Sequence, residues 1–239
     1  MTELPAAMSR FSNNVSELLR RIKYELAQTP EERAAIFKLR YDANLREQSI
    51  AANPEQVLID RYDDSENAFN IAVFLNDELA AALRLHLLWE GFPDSPLLAA
   101  YPDLVRPRVD AGLRIVDITR LAADFTIARS EPNLAYATVR LSMLICEHFD
   151  ADIILAAVRR EHIPFYRREF LATQLSEARP YPTLIKPLCL FEINYKAHKE
   201  AIIARHPFHA SSDSERSSLF GPSSQWPMLK SAAHFAHPA

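Results

Sequence analysis

Apolar residues fall in short runs along the chain, and their spacing predicts alternating strands and helices. The clearest helix start is at Thr29: threonine is a typical N-cap, Pro30 suits the first helical position, and Glu32 stands three residues after the cap. Two apolar runs joined by the polar turn 76–78 predict a β-hairpin over 70–88. Further strands are predicted over 24–28, 113–122, 152–158 and 188–193, and further helices over 133–149 and 162–170.

This order of elements predicts a mixed sheet with helices on both faces, an α/β (α+β) fold, in one large domain over residues 23–209. Residues 1–22 are polar and weakly patterned, and we expect an arm or a helix there. Residues 48–66 and 89–112 predict loops, the second with one short helix. From 210 to 239 the sequence turns to Ser, Pro and His, which predicts a flexible C-terminal tail.

Composition narrows the classes of function. The formal net charge is −4 and no basic stretch dominates, so no nucleic-acid partner is expected. The N-terminus lacks an apolar signal core and no run approaches the ~20 apolar residues of a membrane span, so we expect a cytoplasmic protein without a transmembrane segment. The two cysteines, Cys146 and Cys189, form no CxxC pair, so neither a disulfide framework nor a metal site is expected. Only three glycines are present, too few and too scattered for a P-loop or a Rossmann phosphate loop.

Charged residues interrupt two of the apolar runs. Arg84 and His86 lie two apart and therefore on one face of their strand. Asp117 and Arg120 lie three apart, on opposite faces of a regular strand, and a bulge or a strand end would bring them together. Because buried charges must be paired, these residues form either a structural salt-bridge network or a polar cleft that orients an amine and a carboxylate.

Two other places carry candidate chemistry. The segment around Asp60 and Asp63 is either a solvated loop or a clamp that pairs with arginines of the first helix, such as Arg40 and Arg46. Tyr166, in the predicted helix after the strand 152–158, is either a core residue or a hydroxyl that serves as an acid or a hydrogen-bond donor.

Together these features resemble a known fold family. The order of elements is similar to that of GNAT-type acyltransferases, and three motifs resemble its acyl-carrier-protein-dependent branch, which contains the acyl-homoserine-lactone synthases and the long-chain N-acyl amino acid synthases. The motifs are an arginine on the opening helix, here Arg40 in FKLRYDANLRE; a D-x-x-D pair followed by a strand arginine, here Asp60, Asp63 and Arg84; and an E-x-x-R-L sequence, here Asp117 to Leu121. The resemblance covers roughly residues 24–195.

The resemblance implies a GNAT-like mixed, mostly antiparallel central sheet that is splayed between its fourth and fifth strands, with an apolar tunnel for an acyl chain in the splay. It also implies a reaction. An amine of a small-molecule acceptor attacks a fatty acyl thioester on the phosphopantetheine arm of an acyl-carrier protein, and no other cofactor is needed. The product would be an N-acyl amino acid.

The same resemblance implies roles for individual residues. Asp117 would position the amine or a base water, Arg120 and Arg84 would hold the acceptor carboxylate or merely pair with Asp117, and His86 is a weaker candidate base. Backbone amides of the strand 113–123 would stabilise the oxyanion. The implied catalytic residues are therefore Asp117, Arg120 and His86, and the implied substrate-binding residues are Arg40, Asp60, Asp63, Arg84, Leu121, Ala122 and Tyr166.

The sequence departs from the family pattern in three places. Asp117 replaces a glutamate, so the carboxylate is one methylene shorter. Residues 44–50 hold none of the aromatic side chains of the lactone synthases, which favours an N-acyl amino acid synthase. Residues 122–133 contain no glycine, which disfavours a coenzyme A pyrophosphate loop and favours a carrier protein. An acidic carrier would dock on exposed basic residues, for which the candidates are Arg129, Arg159, Arg160, Arg167 and Arg168.

Two alternatives stay open. The first is an acyl-homoserine-lactone synthase, which would use S-adenosylmethionine as the acceptor. The second is a non-catalytic binding or sensor domain that keeps the fold without the chemistry, which the aspartate at position 117 and the missing coenzyme A loop also permit.

Overall fold

The computed structural model describes residues 9–92 and 94–222, which form one seven-stranded sheet with helices packed on both faces. The strands are β1 (Ile22–Leu26), β2 (Ala68–Leu75), β3 (Glu78–Leu88), β4 (Ile115–Ala123), β5 (Ile153–Val158), β6 (Thr173–Gln174) and β7 (Cys189–Asn194). Their order across the sheet is β1-β2-β3-β4-β5-β7-β6, and every neighbouring pair is antiparallel except β4–β5. The predicted mixed, mostly antiparallel sheet is therefore confirmed.

Nine α-helices accompany the sheet in the described residues. They are α1 (Arg10–Leu19), α2 (Pro30–Arg46), α3 (Pro96–Ala100), α4 (Pro102–Asp110), α5 (Phe125–Ser130), α6 (Leu134–Phe149), α7 (Ile163–Phe170), α8 (Tyr195–Arg205) and α9 (Asp213–Phe220). The largest apolar cluster joins α1, α6, α7, α8 and α9 to one face of the sheet. Separate clusters join α2, and α3 with α4, to the other face.

Local sequence signals explain the best-defined element ends. The side chain of Thr29 accepts a hydrogen bond from the amide of Glu32, whose own side chain accepts from the amide of Thr29, so the predicted capping box begins α2. Asn76 and Asp77 join β2 to β3 with positive φ angles of 49° and 66°, the conformation that a tight hairpin turn requires.

A bulge in β4 turns Arg120 out of the regular strand. Arg84 faces Thr119 and Ala82 faces Ala122 across β3 and β4, so β4 holds one residue more than β3 between these pairs. Arg120 is one of the two bulge residues of β4, and its φ of 54° lies in the left-handed region. In this conformation the guanidinium of Arg120 reaches Asp60, the carboxylate that also binds Arg84.

Strands β4 and β5 part half-way along their length. Their parallel pairing runs from Ile115 and Ile153 to Ile118 and Ala156 and stops there. Beyond that point β4 pairs only with β3, and β5 pairs only with β7, among the described residues. The sheet is therefore splayed between its fourth and fifth strands, as predicted.

Several elements differ from the sequence-based expectations. The loop predicted over 89–112 holds two helices, α3 and α4, and neither α5 nor α8 was predicted. Part of the tail predicted to be flexible, over 210–239, is ordered: residues 213–220 form α9, where Phe220 is buried against α6 and Glu215 pairs with Arg140. Residues 223–239 lie outside the described part of the chain, and the division into domains stays a prediction.

Candidate functional site

An apolar cavity of about 420 Å³ passes through the sheet where β4 and β5 part. Its walls come from both faces, with Val139 and Tyr166 on the α6 and α7 side and Ala43 and Leu184 on the other. Much of the lining is small, which leaves open space between the strands; the alanines are Ala43, Ala122, Ala123, Ala128, Ala135 and Ala157. A cavity of this size and character falls within the roughly 300–1,000 Å³ range of small-molecule sites and suits an alkyl chain.

Polar groups border the cavity at the end of α2 and the end of β5. Arg159 follows β5 and its guanidinium lies 2.5 Å from the carboxylate of Glu47 and 3.1 Å from the hydroxyl of Ser49. Lys186 donates to the carbonyl of Glu47 at 2.6 Å. These contacts tie the end of α2 to β5 and to the β6–β7 connection, so three separate segments meet around the cavity.

A buried ionic network lies behind this cavity, and the loop before β2 supplies its carboxylates. A 3₁₀ helix spans Arg61–Asp64, and Asp60 caps it by accepting from the amide of Tyr62, while Asp63 accepts from the amide of Asp60 at 3.0 Å. This local capping box holds both aspartates in place, with their carboxylates toward β3 and β4. Asp60 accepts from Arg84 at 2.7 and 3.2 Å and pairs with Arg120.

The second carboxylate of the network binds a different pair of arginines. Asp63 lies 2.7 Å from Arg40 and 2.9 Å from Arg84, and Arg40 also donates to the side chain of Asn70 at 2.7 Å. Burial alone would raise the pKa of Asp63, but Arg40 and Arg84 outweigh it and hold that pKa below its usual value. Burial lowers the pKa of Arg40 to about 10, which leaves the guanidinium charged at neutral pH.

The predicted clamp on the loop is therefore present in part. Arg40 pairs with Asp63 as expected, but Arg46 does not join the network. Its guanidinium lies 4.0 Å from the centre of the Phe125 ring on α5, at the border of the cavity. Arg46 is the last residue of α2, and the aromatic ring that it covers is exposed at the surface.

Asp117 lies next to this network without joining it. The residue is fully buried on β4, facing His86 on β3 and Leu155 on β5. Neither carboxylate oxygen has a donor at ordinary hydrogen-bond geometry within the described residues, and the donors that act on it are the hydroxyl of Ser95 and the amide of Leu97. Burial raises the pKa of Asp117 to about 7, although Arg84, the hydroxyl of Ser95 and the amide of Leu97 act in the opposite direction. Arg84 and Arg120 are thus connected through Asp60, and Asp117 is a neighbour that titrates near neutrality.

His86 is fully buried beside the network and does not line the cavity. Its Nε2 lies 3.1 Å from the carbonyl oxygen of Tyr62, so Nε2 carries the proton and donates. Burial, with the nearby charge of Arg84, lowers the pKa of His86 to about 3. The imidazole is therefore neutral at physiological pH and is held by the 3₁₀ helix of the loop.

Two tyrosines line the cavity: Tyr166, which is among the predicted site residues, and Tyr181, which is not. Tyr166 on α7 is buried, and burial raises its pKa to about 12. Tyr181 belongs to the connection between β6 and β7, and its buried hydroxyl has no hydrogen-bond partner within the described residues. No periodic pattern surrounds Tyr181, which stands between prolines, so the sequence carries no signal that would place it here.

The predicted site residues separate into two groups in space. Those that line the cavity are Arg120, Leu121, Ala122 and Tyr166. Those that lie behind it, in or beside the ionic network, are Arg40, Asp60, Asp63, Arg84, His86 and Asp117. Their roles in catalysis and binding stay predictions.

The residues that the structure describes hold neither a metal-binding cluster nor a membrane-spanning helix. None of their acidic, histidine and cysteine side chains forms a group of three or more with the arrangement of a metal site. None of their helices combines the length and the apolar character that a membrane crossing demands.

Comparison with known proteins places these features in context. The sequence model of the family described as "N-acyl amino acid synthase FeeM" matches residues 35–194. FeeM itself, an N-acyl amino acid synthase from uncultured soil microbes, superposes with a TM-score of 0.65 at 15% identity over 77% of this chain and 97% of its own. A comparison with the sequences of curated proteins gave no significant match.

Two lactone synthases share the fold. The acyl-homoserine-lactone synthase BjaI, described as CoA-dependent, gives a TM-score of 0.57 at 16% identity, over 78% of this chain and 89% of its own. The synthase LasI gives 0.56 at 13% identity, over 78% and 94%. The GNAT-like fold predicted from the sequence is therefore confirmed.

Proposed function

The chain belongs to the N-acyl amino acid synthase FeeM family, and we propose that it moves a fatty acyl group from an acyl-carrier protein to the amine of an amino acid. The observation that carries the proposal is the cavity between β4 and β5, which is apolar on the α6 and α7 side and bordered by Arg120 on the other. An acyl chain and a charged acceptor therefore have separate, chemically suitable places that meet in the splay.

The reaction follows from groups around the splay. The acceptor nitrogen attacks the thioester carbonyl, a C–N bond forms, the C–S bond breaks, and the thiol leaves with a proton. Amides of β4 near Leu121 and Ala122 lie where the strand has no partner on the β5 side, and we assign them to the developing oxyanion. Asp117, whose pKa is about 7, receives the proton that the acceptor ammonium must lose. The hydroxyl of Tyr166 is the donor to the leaving sulfur.

The start of α5 supports a carrier protein rather than coenzyme A as the donor. In this position a pyrophosphate would need free amides at a helix start and a close approach of the backbone. Here the carboxylate of Asp124 already accepts from the amides of Thr126 and Ile127, at 2.8 and 2.9 Å. The Asp124 carboxylate occupies these two donors, and its negative charge would repel a pyrophosphate. The phosphopantetheine arm of a carrier protein has no pyrophosphate, so it is not affected.

Lipid extraction from cells that overproduce the chain tests the proposal. We expect long-chain N-acyl amino acids by mass spectrometry, absent from cells that produce Arg120→Ala at an equal level and present with Arg106→Ala on the exposed side of α4. Acyl-homoserine lactones in place of N-acyl amino acids would identify the lactone synthase alternative. Unchanged lipids and no product, with a folded protein, would favour the non-catalytic alternative.

A further inference from the structure

Two buried polar atoms of the cavity lining have no hydrogen-bond partner within the described residues: the hydroxyl of Tyr181 and Nε of Arg120. The carboxylate of Asp117, which does not line the cavity, also lacks a donor at ordinary hydrogen-bond geometry there, and only the hydroxyl of Ser95 and the amide of Leu97 act on it as donors. Burying a polar group without a partner is unfavourable, so such groups beside one cavity need an explanation.

Tyr181 lines the cavity, whereas Asp117 does not. Tyr181 belongs to the same apolar cluster as Leu155, and Leu155 is the residue that faces Asp117 across β4 and β5. Asp117 therefore has no direct access to a ligand in the cavity, and Tyr181 is a cavity hydroxyl on the side of the sheet where Asp117 lies.

We propose that Tyr181 is a catalytic residue that relays a proton from the acceptor amine to Asp117. This inference rests on the proposed acyl transfer. The ammonium gives one proton to the tyrosine oxygen while the tyrosine O–H proton passes to one bridging water, which gives a proton to Asp117. The neutral amine then attacks the thioester carbonyl, and Asp117 later returns its proton to solvent. The phenol is neutral before and after the step.

The surroundings suit Tyr181 to a relay rather than to a base. Burial, and next the charge of Asp117, raise the pKa of Tyr181 well above its ordinary value, so the phenol keeps its proton. Asp117, with a pKa of about 7, is ionised in a useful fraction at neutral pH and is the terminal acceptor. The other charged or polar groups that face or act on Asp117 come from three segments: Arg84 and His86 of β3, Asp60 of the loop before β2, and Ser95 and Leu97 at the start of α3.

The kinetic test compares Tyr181→Phe with Tyr195→Phe. The control removes a buried phenol hydroxyl that donates to Glu147 at 2.5 Å on α6, away from the cavity. We expect Tyr181→Phe to lower kcat roughly 100-fold with little change in KM. The double variant with Asp117→Asn should be no slower than the slower single variant, because the two residues act as one unit. Near-normal kcat in Tyr181→Phe, or multiplied losses in the double variant, would overturn the relay.

A second measurement needs no substrate and therefore separates the relay from the proposed function. The titration of Asp117 is followed by carbon NMR of labelled aspartate, with Asp117→Asn to assign the signal. In the relay the hydroxyl of Tyr181 orients the bridging water as a donor to the ionised carboxylate, so Tyr181→Phe should raise the pKa of Asp117. An unchanged pKa in this variant would refute the relay even if N-acyl amino acids are made. If another amine proves to be the acceptor, the kinetic test is run with that amine.

Discussion

Replacing Asp63 with asparagine removes one charge from the buried network while nearly conserving its shape. Its side chain is fully buried and lies within ion-pair distance of Arg40 and Arg84. Arg84 would keep Asp60, but Arg40 would keep only the neutral side chain of Asn70. The variant therefore leaves a buried guanidinium without a carboxylate.

The expected loss of stability is large for a single substitution. Removing one partner of a buried ion pair typically costs about 3–5 kcal/mol, because the remaining charge stays desolvated. In a protein of this size each kcal/mol lowers Tm by about 2–4 °C, so Tm should fall by roughly 6–20 °C. The neighbouring Asp64 pairs with Arg33 with its side chain 71% exposed, and Asp64→Asn should cost less than about 1 kcal/mol.

Urea and thermal unfolding of the two variants measure this difference, and the pH dependence supplies its signature. Because the folded pKa of Asp63 is below its unfolded value, near 3.9, its contribution is complete above that value and is lost as pH falls through the folded pKa. The gap between wild type and Asp63→Asn should therefore narrow in acid. Equal, small losses in Asp63→Asn and Asp64→Asn would refute the argument that the network is a desolvated unit.

Three other perturbations test separate parts of the account. Ala135→Phe narrows the cavity, so kcat/KM should fall roughly tenfold or more for long acyl donors and little for short ones; an equal effect on all lengths would contradict an acyl site there. The double charge reversal of Arg167 and Arg168 should raise KM for acyl-carrier protein about tenfold at low salt and less at high salt, whereas Arg106→Glu on the opposite face should not. Burial, with the charge of Arg84, lowers the pKa of His86 to about 3, so the unfolded state binds more protons below pH 6.5, and stability should fall toward acid by up to about 1.4 kcal/mol per pH unit. His86→Gln should show a shallower slope, and an identical slope would show that His86 does not titrate on unfolding.

Elements with strong local signals were predictable from the sequence. Thr29 and Glu32 predict the start of α2, and two apolar runs on either side of a polar turn predict the β2–β3 hairpin. Both depend on contacts within a few residues, which a sequence displays directly. Helix α9 has a signal of the same kind, since the side chain of Ser212 caps it by accepting from the amide of Glu215, but the composition of the segment led to the prediction of a flexible tail. Arg140, 75 residues away, adds a contact with Glu215 at 2.5 Å that no local pattern shows.

The site was predictable in its composition but not in its connections. Charges inside apolar runs indicated that Arg84, Asp117 and Arg120 needed partners, and the need for a bulge was evident from their spacing. The partner that joins Arg84 to Arg120 is Asp60, which comes from a loop before β2. The packing of whole elements determines which distant carboxylate pairs with a buried arginine. The local sequence pattern therefore could not show that Asp60, and not Asp117, pairs with Arg84 and Arg120.

Tyr181 could not be predicted as a site residue from the sequence, for a related reason. The β6–β7 connection has no regular structure around it, and its path past the cavity is fixed by contacts such as those of Thr183 with Arg120 and of Lys186 with Glu47. Such contacts join segments far apart in the chain and leave no periodic trace in the sequence. Tyrosines in loops of this kind become visible as site residues only when the burial of their hydroxyl groups is known.

Turnover with matched donors tests the central claim most directly. The purified chain is given the same fatty acyl group on acyl-carrier protein and on coenzyme A, with a mixture of amino acids and, separately, with S-adenosylmethionine as the acceptor. We predict an N-acyl amino acid from the carrier-protein donor, at a kcat/KM at least tenfold above that with acyl-coenzyme A. Equal use of the two donors would contradict the carrier-protein assignment, and a lactone from S-adenosylmethionine without any N-acyl amino acid would contradict the proposed function itself.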